Sequence, residues 1–246
     1  MPLAPLHREP DARRLPAIAY LEVIFPTPTY PNGRTIGTGC VIAPRLILTA
    51  AHIVYDHRQG GQALRVFVSL PTVANTIDTT EVDFPRQWRE PRNPQDISLL
   101  SPVDCGVVVL PGSVAAPVAP WQFRVDDDAT LGGELLSVAG YPAFPPDGSA
   151  RGSLWGASFN VVQGQGLPDE AARCEGFRLF YPVETLPGQS GVPVYAFDAA
   201  TNQRTVVGVH TSFVPFADGT ELASALRIDD RVDRLLREWV TEFGGE

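Results

Sequence analysis

The chain is organised around the stretch Thr185-Leu-Pro-Gly-Gln-Ser-Gly-Val-Pro-Val-Tyr195. At its centre lies Gly188-Gln-Ser-Gly191, and an apolar run over residues 192–197 follows directly. A serine between glycines can sit on a tight turn where two backbone N–H groups point into one space. Acyl transfer needs that arrangement, because the hydroxyl attacks a carbonyl beside donors for the developing oxyanion. The pattern is also ordinary turn chemistry, so it predicts catalysis only if the chain supplies a histidine and a carboxylate.

Length and composition limit the class of protein. A chain of 246 residues has room for one large all-β domain or two modest lobes. Its 24 prolines and 22 glycines imply many turns, which favours short strands over long helices. The formal net charge of −9 disfavours nucleic acid as a partner.

Short apolar runs separated by proline, glycine or asparagine clusters are typical of an all-β sandwich or barrel. The predicted strands cover residues 17–25, 36–43, 46–49, 63–70, 105–110, 134–139, 153–162, 177–183, 192–197, 205–210 and 223–228. A proline-rich break at residues 111–120 divides them into two comparable sets. Residues 1–16 are predicted to form an irregular arm, and residues 85–103 a long polar surface loop.

One helix is predicted at the end of the chain, over residues 229–243. Asp229 and Asp230 can cap its N-terminus. Its apolar side chains form one stripe, made of Val232, Leu235, Leu236, Trp239, Val240 and Phe243.

His52 is the candidate general base. It closes the run Arg45-Leu-Ile-Leu-Thr-Ala-Ala-His52, in which an apolar strand delivers the ring to the strand's end. The small residues before it leave space beside the imidazole for a substrate, and the ordinary histidine pKa lies near working pH. A structural histidine at a strand end is the alternative interpretation. His7 and His57 have no such setting and are predicted to be surface residues.

Two aspartates are candidates for the acid partner of the histidine. Asp96 opens the run Asp-Ile-Ser-Leu-Leu, and Asp104 opens Asp-Cys-Gly-Val-Val-Val-Leu110. Both place a carboxylate before an apolar strand. Composition alone therefore does not choose between them.

The cysteines and the other candidate ligands indicate no bound group. Cys40, Cys105 and Cys174 show no C-x-x-C spacing, so the sequence predicts buried free thiols rather than a zinc site or a disulfide framework. The sequence also shows no metal-ligand cluster and no phosphate-binding loop. We therefore predict no metal and no cofactor.

The terminal residues and the hydropathy bear on the compartment. The first residues contain no apolar core of the kind a secretory signal has, and no apolar run is long enough to cross a bilayer. These observations predict a cytoplasmic protein with no membrane partner. The alternative is a secreted protein whose signal peptide is missing from this chain.

In its motifs the sequence resembles the trypsin-like (chymotrypsin-fold) serine proteases, and among them the glutamyl endopeptidases. The resemblance rests on Thr49-Ala-Ala-His52, Asp104-Cys-Gly-Val-Val-Val-Leu110, Gly140-Tyr-Pro142, Thr185-Leu-Pro-Gly-Gln-Ser-Gly191 and Val207-Gly-Val-His-Thr211. Histidine, then aspartate, then serine is the chain order of this fold. The interval from Asp104 to Gly140 fits the spacing of the family, which selects Asp104 over Asp96.

The resemblance implies a fold of two packed six-stranded antiparallel β-barrels with a C-terminal α-helix. After the arm at 1–16, the first barrel would span residues 17–118 and carry the histidine and aspartate. The second would span residues 119–246, carry the serine and end in the helix at 229–243.

The resemblance also implies a serine endopeptidase with a catalytic triad. Ser190 would be the nucleophile, His52 the general base, and Asp104 the group that orients the ring and stabilises its charged form. The N–H groups of Gly188 and Ser190 would form the oxyanion hole. Gln189 stands where activated trypsin-type enzymes have an acidic residue, so switching by a new N-terminus is not expected.

Selectivity is implied by the residues that match the family's S1 pocket. Thr185 and His210 match the hydroxyl and the histidine of glutamyl endopeptidases, which predicts Glu or Asp at P1. Glu184 lies six residues before Ser190, where trypsin-type enzymes carry an aspartate that selects Arg or Lys. Trypsin-like specificity through Glu184 is therefore the alternative. Phe213 replaces a usual glycine and would narrow the entrance to the substrate groove.

Two further hypotheses concern how the chain is used. The preferred one is a regulated intracellular protease that acts on a protein or peptide substrate and responds to an activating or sensor domain or partner. The competing class is a catalytically silent protease fold that serves as a binding module. An intact set of His52, Asp104, Ser190 and Gly188 argues against the silent module.

Overall fold

Closely spaced turn residues cut the chain into many short strands. The computed structural model describes residues 2–29, 33–149 and 152–245, with only the backbone of residues 94 and 95. The strands are β1 (His7–Arg8), β2 (Ile18–Ile24), β3 (Thr35–Ala43), β4 (Leu46–Thr49), β5 (Tyr55–Asp56), β6 (Gly61–Gln62), β7 (Arg65–Ser69), β8 (Ile77–Thr79), β9 (Val82–Asp83), β10 (Gly106–Val109), β11 (Gln122–Phe123), β12 (Leu136–Gly140), β13 (Trp155–Phe159), β14 (Arg178–Tyr181), β15 (Pro193–Asp198), β16 (Gln203–Pro215) and β17 (Glu221–Arg227). The α-helices are α1 (Ala51–Val54), α2 (Arg86–Arg89), α3 (Asp128–Gly133), α4 (Asp169–Ala172) and α5 (Asp230–Phe243). Short 3₁₀ helices lie at Ala12–Arg14, His57–Gln59, Pro94–Ile97 and Gly164–Gly166.

The first sheet is antiparallel, with strand order β8-β7-β2-β3-β4-β10-β9. Six of its strands have three or more residues, and β9 adds a two-residue edge. Gly106 at the start of β10 pairs with Thr49 at the end of β4. The segment before β10 and helix α1 after β4 are therefore held side by side, which places Asp104 next to His52.

The second sheet has the order β1-β13-β12-β15-β16-β17-β14, and β11 pairs with β16 in parallel. It also has six strands of three or more residues, with β1 and β11 as two-residue additions. The register of β16 against β17 shifts between His210 and Ser212. The predicted all-β architecture, with two antiparallel sheets and a C-terminal helix, is confirmed.

The C-terminal helix forms where the sequence predicts it. The carboxylate of Asp229 accepts hydrogen bonds from the N–H groups of Arg231 and Val232, so this residue caps the helix. Residues Val232, Leu236 and Trp239 are buried in the cluster that contains the first-sheet strands. The helix follows the second sheet in the chain but packs against the core of the first. The domain division between residues 118 and 119 stays a prediction.

Two segments depart from the sequence-based expectation. The arm is not wholly irregular, because β1 pairs with β13 and Ala4 N–H donates to Pro182 O at 2.6 Å. The segment 85–103 is not simply a surface loop, since Trp88 and Ser101 are buried and Trp88 Nε1–H donates to Tyr55 O at 2.8 Å. Both segments are tied down by long-range contacts that their polar composition does not reveal.

Candidate active site

His52 lies in helix α1, a single turn that follows β4. The residue before the helix, Ala50, has an extended backbone, and the turn packs directly on β10. A side chain at Gly106 would place its Cβ 2.9 Å from Val54 Cγ2 and 3.4 Å from Ala51 Cα. The glycine two residues after Asp104 is thus what allows α1 to approach the strand.

Asp104 holds His52 at two points. Nδ1–H of the His52 ring donates to Asp104 Oδ2 at 2.9 Å, and the His52 backbone N–H donates to Asp104 Oδ1 at 3.1 Å. The carboxylate side chain is 6 % exposed, whereas the ring is 29 % exposed. The Nδ1 edge of the imidazole is therefore held by Asp104, while the rest of the ring is accessible from the cleft. This is the geometry of an oriented general base.

The electrostatics of the pair follow from burial and charge. Burial alone would lower the pKa of His52, but the charge of Asp104 and its hydrogen bond outweigh burial and raise that pKa above 6.5. Burial alone would raise the pKa of Asp104, but the contacts with His52 and the charge of Arg178 lower it below 3.8. The aspartate is therefore ionised at neutral pH, and the pKa of the histidine lies above its ordinary value.

A pH dependence of activity follows. A general base works when neutral, so kcat/KM should rise with pH through an apparent pKa above 6.5 and fall on acidification. In the residual activity of Asp104→Asn, this acid limb should move to lower pH, because the charge that raises the histidine pKa is gone. Peptide hydrolysis measured over the pH range checks both points. An acid limb that stays fixed in the variant would contradict the assignment of the pair.

Asp96, the alternative acid, has another role. Its Oδ2 accepts hydrogen bonds from the backbone N–H groups of Arg92 (2.7 Å) and Asn93 (3.2 Å). In the described part of the chain no hydrogen bond or ion pair joins Asp96 to His52. The structure brings Asp104, and not Asp96, to the histidine.

Ser190 lies on a tight turn between β14 and β15, anchored to the first sheet through Thr38. The Thr38 backbone N–H donates to Ser190 O at 2.9 Å, and Thr38 Oγ1 donates to Gly188 O at 3.0 Å. A Cβ at Gly191 (φ +87°) would come within 2.1 Å of Thr38 O and 3.1 Å of Ala50 N. The turn that carries the serine thus packs beside Ala50, the residue that precedes α1 and His52.

The turn around the serine leaves two donors free. Gly188 has φ +96°, and a Cβ there would lie 2.5 Å from Ala143 N, so only glycine fits. Among the described residues, neither the Gly188 N–H nor the Ser190 N–H has a hydrogen-bond acceptor. In the same described set, no hydrogen bond joins the Ser190 hydroxyl to the His52 ring. Such contacts often form only with substrate bound.

Gln189 braces the nucleophile turn from within. Its side chain is 1 % exposed, and its Oε1 accepts a hydrogen bond from Leu186 N–H at 2.9 Å. Its Nε2 donates to Trp155 O at 3.5 Å. Gln189, which stands where activated trypsin-type enzymes have an acidic residue, therefore stabilises the turn through hydrogen bonds between uncharged groups.

The predicted S1 residues occupy different environments. His210 is buried in β16, and its backbone N–H and O bond to Val192 and Gly191 on the nucleophile segment. Thr185 is half-buried, whereas Glu184 is exposed. Burial, the charge of Arg178 and the charge of His52 lower the pKa of His210 to about 3. His210 is therefore a neutral histidine at working pH.

Tyr181 is hydrogen-bonded to the ring of His210. Its hydroxyl lies 2.7 Å from His210 Nδ1, and its ring stacks on Phe159 with centroids 4.1 Å apart. Burial raises the pKa of Tyr181, so the phenol keeps its proton. A neutral phenol and a neutral imidazole can form this hydrogen bond in either direction, and Tyr181 donates to Nδ1 in the tautomer that carries its hydrogen on Nε2.

Several residues of the site were not identified from sequence. Thr38, Tyr181 and Arg178 lie in ordinary strand positions, and only their contacts reveal a role. Arg178 is 1 % exposed and bonds to segments on both sides of the cleft. An arginine inside an otherwise apolar predicted strand was the one available signal.

A cavity of about 270 Å³ adjoins the histidine. Its walls include His52, Asp56, Trp88, Leu99 and Ser212. It lies between the segment 85–103 and β16, next to the proposed base. His7 and His57 are exposed, as predicted.

The cysteines are free and buried, as the sequence predicts. Burial raises the pKa of Cys105 to about 12, so this neighbour of Asp104 is an unreactive thiol. Across residues 2–29, 33–149 and 152–245, no group of three or more metal-ligand side chains was found. No helix in that same part of the chain is long and apolar enough to cross a membrane.

Comparison with known families identifies the class of protein to which the chain belongs. The profile of the trypsin-like peptidase domain matches residues 37–209. The chain belongs to the trypsin-like peptidase family. The match supports a serine endopeptidase at the level of family, and the predicted resemblance is confirmed.

The curated relatives are distant. The chain is 26 % identical over 212 residues to a glutamyl endopeptidase of Bacillus licheniformis, covering 82 % of this chain and 58 % of the relative. It is 25 % identical over 221 residues to a protein of Bacillus subtilis named extracellular metalloprotease, covering 87 % of this chain and 61 % of the relative. The chain thus spans about three fifths of the length of the curated relatives it matches.

Solved structures show the same fold. A Glu endopeptidase superposes with a TM-score of 0.71 at 20 % identity, covering 95 % of each chain. A structure named HL collagenase superposes with a TM-score of 0.64 at 18 % identity, covering 94 % of this chain and 96 % of the other. At these identities the likeness establishes the chymotrypsin-like fold.

Proposed function

We propose that this chain hydrolyses peptide bonds with Ser190 as nucleophile, His52 as general base and Asp104 as the residue that orients the base. The observation that carries the proposal is the two-point hydrogen bonding of Asp104 to His52 beside the Ser190 turn. The two unpaired N–H groups on that turn are what an oxyanion needs.

The proposed reaction proceeds through an acyl-enzyme. The Ser190 oxygen attacks the peptide carbonyl while His52 Nε2 takes the hydroxyl proton, and the N–H groups of Gly188 and Ser190 bind the oxyanion. His52 then gives the proton to the leaving amine. Water attacks the ester in the second half, with His52 again acting as base. Throughout, the ionised Asp104 stabilises the charged imidazole.

We further propose that the enzyme prefers Glu or Asp at P1. The position of His210 supports this, because its strand is bonded on both sides to the nucleophile segment. A neutral imidazole with hydrogen on Nε2 can donate to a carboxylate, and the Thr185 hydroxyl can add a second bond. The exposure of Glu184 disfavours its use as a buried acidic pocket floor.

Removing one hydroxyl tests the proposed pocket. Tyr181→Phe keeps the stacked ring but removes the donor to His210 Nδ1. The imidazole can then place its hydrogen on Nδ1, and a donor to the substrate is lost. We expect kcat/KM for a P1 Glu peptide to fall about fivefold to tenfold. The same kcat/KM measurement is made with a matched P1 Gln peptide, because the side-chain oxygen of Gln can also accept that hydrogen bond. An unchanged rate with the Glu peptide would remove Tyr181 from the pocket.

The function is tested by digesting a diverse peptide library with the purified chain, beside Ser190→Ala. Cuts after Glu or Asp that disappear in the variant are the expected result. Cuts after Arg or Lys would transfer the pocket role to Glu184 and refute the proposed preference. A well-folded chain that cuts nothing would favour the silent binding module.

The compartment and the regulation are also proposals. The three free, buried cysteines favour a reducing compartment such as the cytoplasm. The name of the Bacillus subtilis relative supports the secreted alternative. We propose a protein or peptide substrate and keep an activating or sensor partner as a hypothesis. Cleavage of the library by this chain alone would show that no partner is required.

A further inference from the structure

Arg178 is a buried cation that has no ion-pair partner in the described part of the chain and that donates to Thr211, the neighbour of His210. Arg178 is 1 % exposed and donates only to neutral oxygens. Its acceptors are Ser101 O (3.0 Å), Leu99 O (3.2 Å), Thr211 Oγ1 (2.5 Å), Ser212 Oγ (3.5 Å) and Ser224 Oγ (2.8 Å). No carboxylate in the described part of the chain comes within 4.0 Å of its nitrogens.

Burying a charged group of this kind destabilises the fold, so we ask what the charge contributes to function. A buried, uncompensated charge loses hydration that neutral hydrogen bonds only partly replace. Burial lowers the pKa of Arg178 to about 10, so the guanidinium is still positive at neutral pH, and Asp104 is the main group that opposes this shift.

The position of Arg178 links it to the wall of the S1 pocket. Its acceptor Thr211 directly follows His210 in β16. Three residues along the same β14 strand, the Tyr181 hydroxyl bonds to the His210 ring. The guanidinium therefore contacts the residue next to the histidine that is proposed to bind the substrate, and its charge lowers the pKa of that histidine.

The groups that would touch a P1 carboxylate carry no charge. Thr185 is neutral, and His210 is neutral because of its buried environment. The charged or titratable groups that influence His210 are Arg178 and Tyr181 from β14, His52 from α1, and Asp104. Of these, Arg178 is the permanent cation.

We propose that Arg178 is a specificity-determining residue, whose buried guanidinium supplies the positive charge that favours an acidic P1 side chain. His210 and Thr185 supply the hydrogen bonds, and Arg178 acts through them without touching the substrate. The inference rests on the proposed preference for Glu or Asp. It predicts that the preference for Glu over Gln at P1 follows the charge at position 178.

The test compares two peptides that differ only in Glu or Gln at P1. The measured quantity is the ratio of their kcat/KM values in wild type, Arg178→Lys and Arg178→Met. We expect the ratio to stay high with lysine and to fall on the order of tenfold with methionine. Arg227→Met is the matched control, since Arg227 is a mostly buried arginine of the second sheet whose ion-pair partner is Asp128 and not a residue of the proposed pocket. Its ratio should equal that of wild type.

A second measurement uses the wild type alone, in case Arg178→Met does not fold. The Glu-to-Gln ratio is recorded from about pH 6 to about pH 9, where a P1 glutamate stays ionised. Protonation of His52 affects both peptides equally and cancels in the ratio. A constant ratio is expected from a permanent cation. A ratio that falls as pH rises would mean that a protonated histidine supplies the charge, and would overturn the proposal.

The outcomes separate this inference from the proposed function. A wild type that does not favour Glu over Gln contradicts the P1 preference itself. A wild type that favours Glu, together with a folded Arg178→Met of unchanged ratio, overturns only the role of Arg178. An equal loss with both peptides also overturns it, because that result describes a structural residue.

Discussion

Ser190→Ala is expected to lower kcat by about 10⁵-fold to 10⁶-fold, the loss typical of removing the nucleophile of a serine protease. The reason is that no acyl-enzyme can form without the hydroxyl. KM should change little, because the alanine leaves the pocket and the oxyanion donors in place. The variant should also remain as stable as the parent, since in the described structure the hydroxyl has no hydrogen-bond partner. Steady-state hydrolysis of a P1 Glu peptide and a thermal melt measure both effects.

Ser158→Ala is a suitable control for this substitution. Its hydroxyl bonds to Ser137 on the face of the second sheet, away from the cleft. Activity of the control should equal that of the parent. Residual activity of Ser190→Ala within tenfold of the parent would rule out a mechanism based on this serine.

Asp104→Asn is expected to lower kcat by about 10⁴-fold, the effect seen when a triad aspartate becomes an amide. The carboxylate accepts two hydrogen bonds from His52 and stabilises its positive charge. An amide keeps the shape but carries no charge, and its NH₂ group favours the opposite tautomer of the ring. The base is then misoriented for the Ser190 proton.

The matched variant Asp96→Asn separates the two aspartates that the sequence left open. Asp96 accepts backbone hydrogen bonds at a loop turn, and an asparagine oxygen can still accept them. We expect kcat to change less than about threefold and stability only slightly. A reversal, with Asp96→Asn inactive and Asp104→Asn active, would contradict the site geometry.

Local pattern was enough to predict the strands of four or more residues, whereas the two- and three-residue strands were not predicted; these are β1, β5, β6, β8, β9 and β11. Turn residues bound the runs at β2, β3 and β4, and the Asp229 cap with its apolar stripe fixes α5. His52 and Ser190 were predictable because each lies in a short motif with its own chemistry. The choice of Asp104 needed the family spacing, since Asp96 has the same local pattern.

The supporting residues could not be predicted, because their roles depend on contacts far apart in sequence. Thr38 bonds to Gly188 across 150 positions, and Arg178 bonds to Ser101 across 77. Neither contact leaves a periodic signal in the chain. The segment 85–103 was misjudged for the same reason, since its prolines and charges suggested a surface loop although part of it packs under the cleft.

Covalent labelling with a fluorophosphonate tests the central claim most directly, because this reagent reacts with a serine only when base and oxyanion donors are assembled around it. We expect one label per chain, located by peptide mass on Ser190. The label should be absent in Ser190→Ala, strongly slowed in Asp104→Asn and unchanged in Asp96→Asn. A folded chain that takes no label, or takes it on another serine, would contradict the proposed triad.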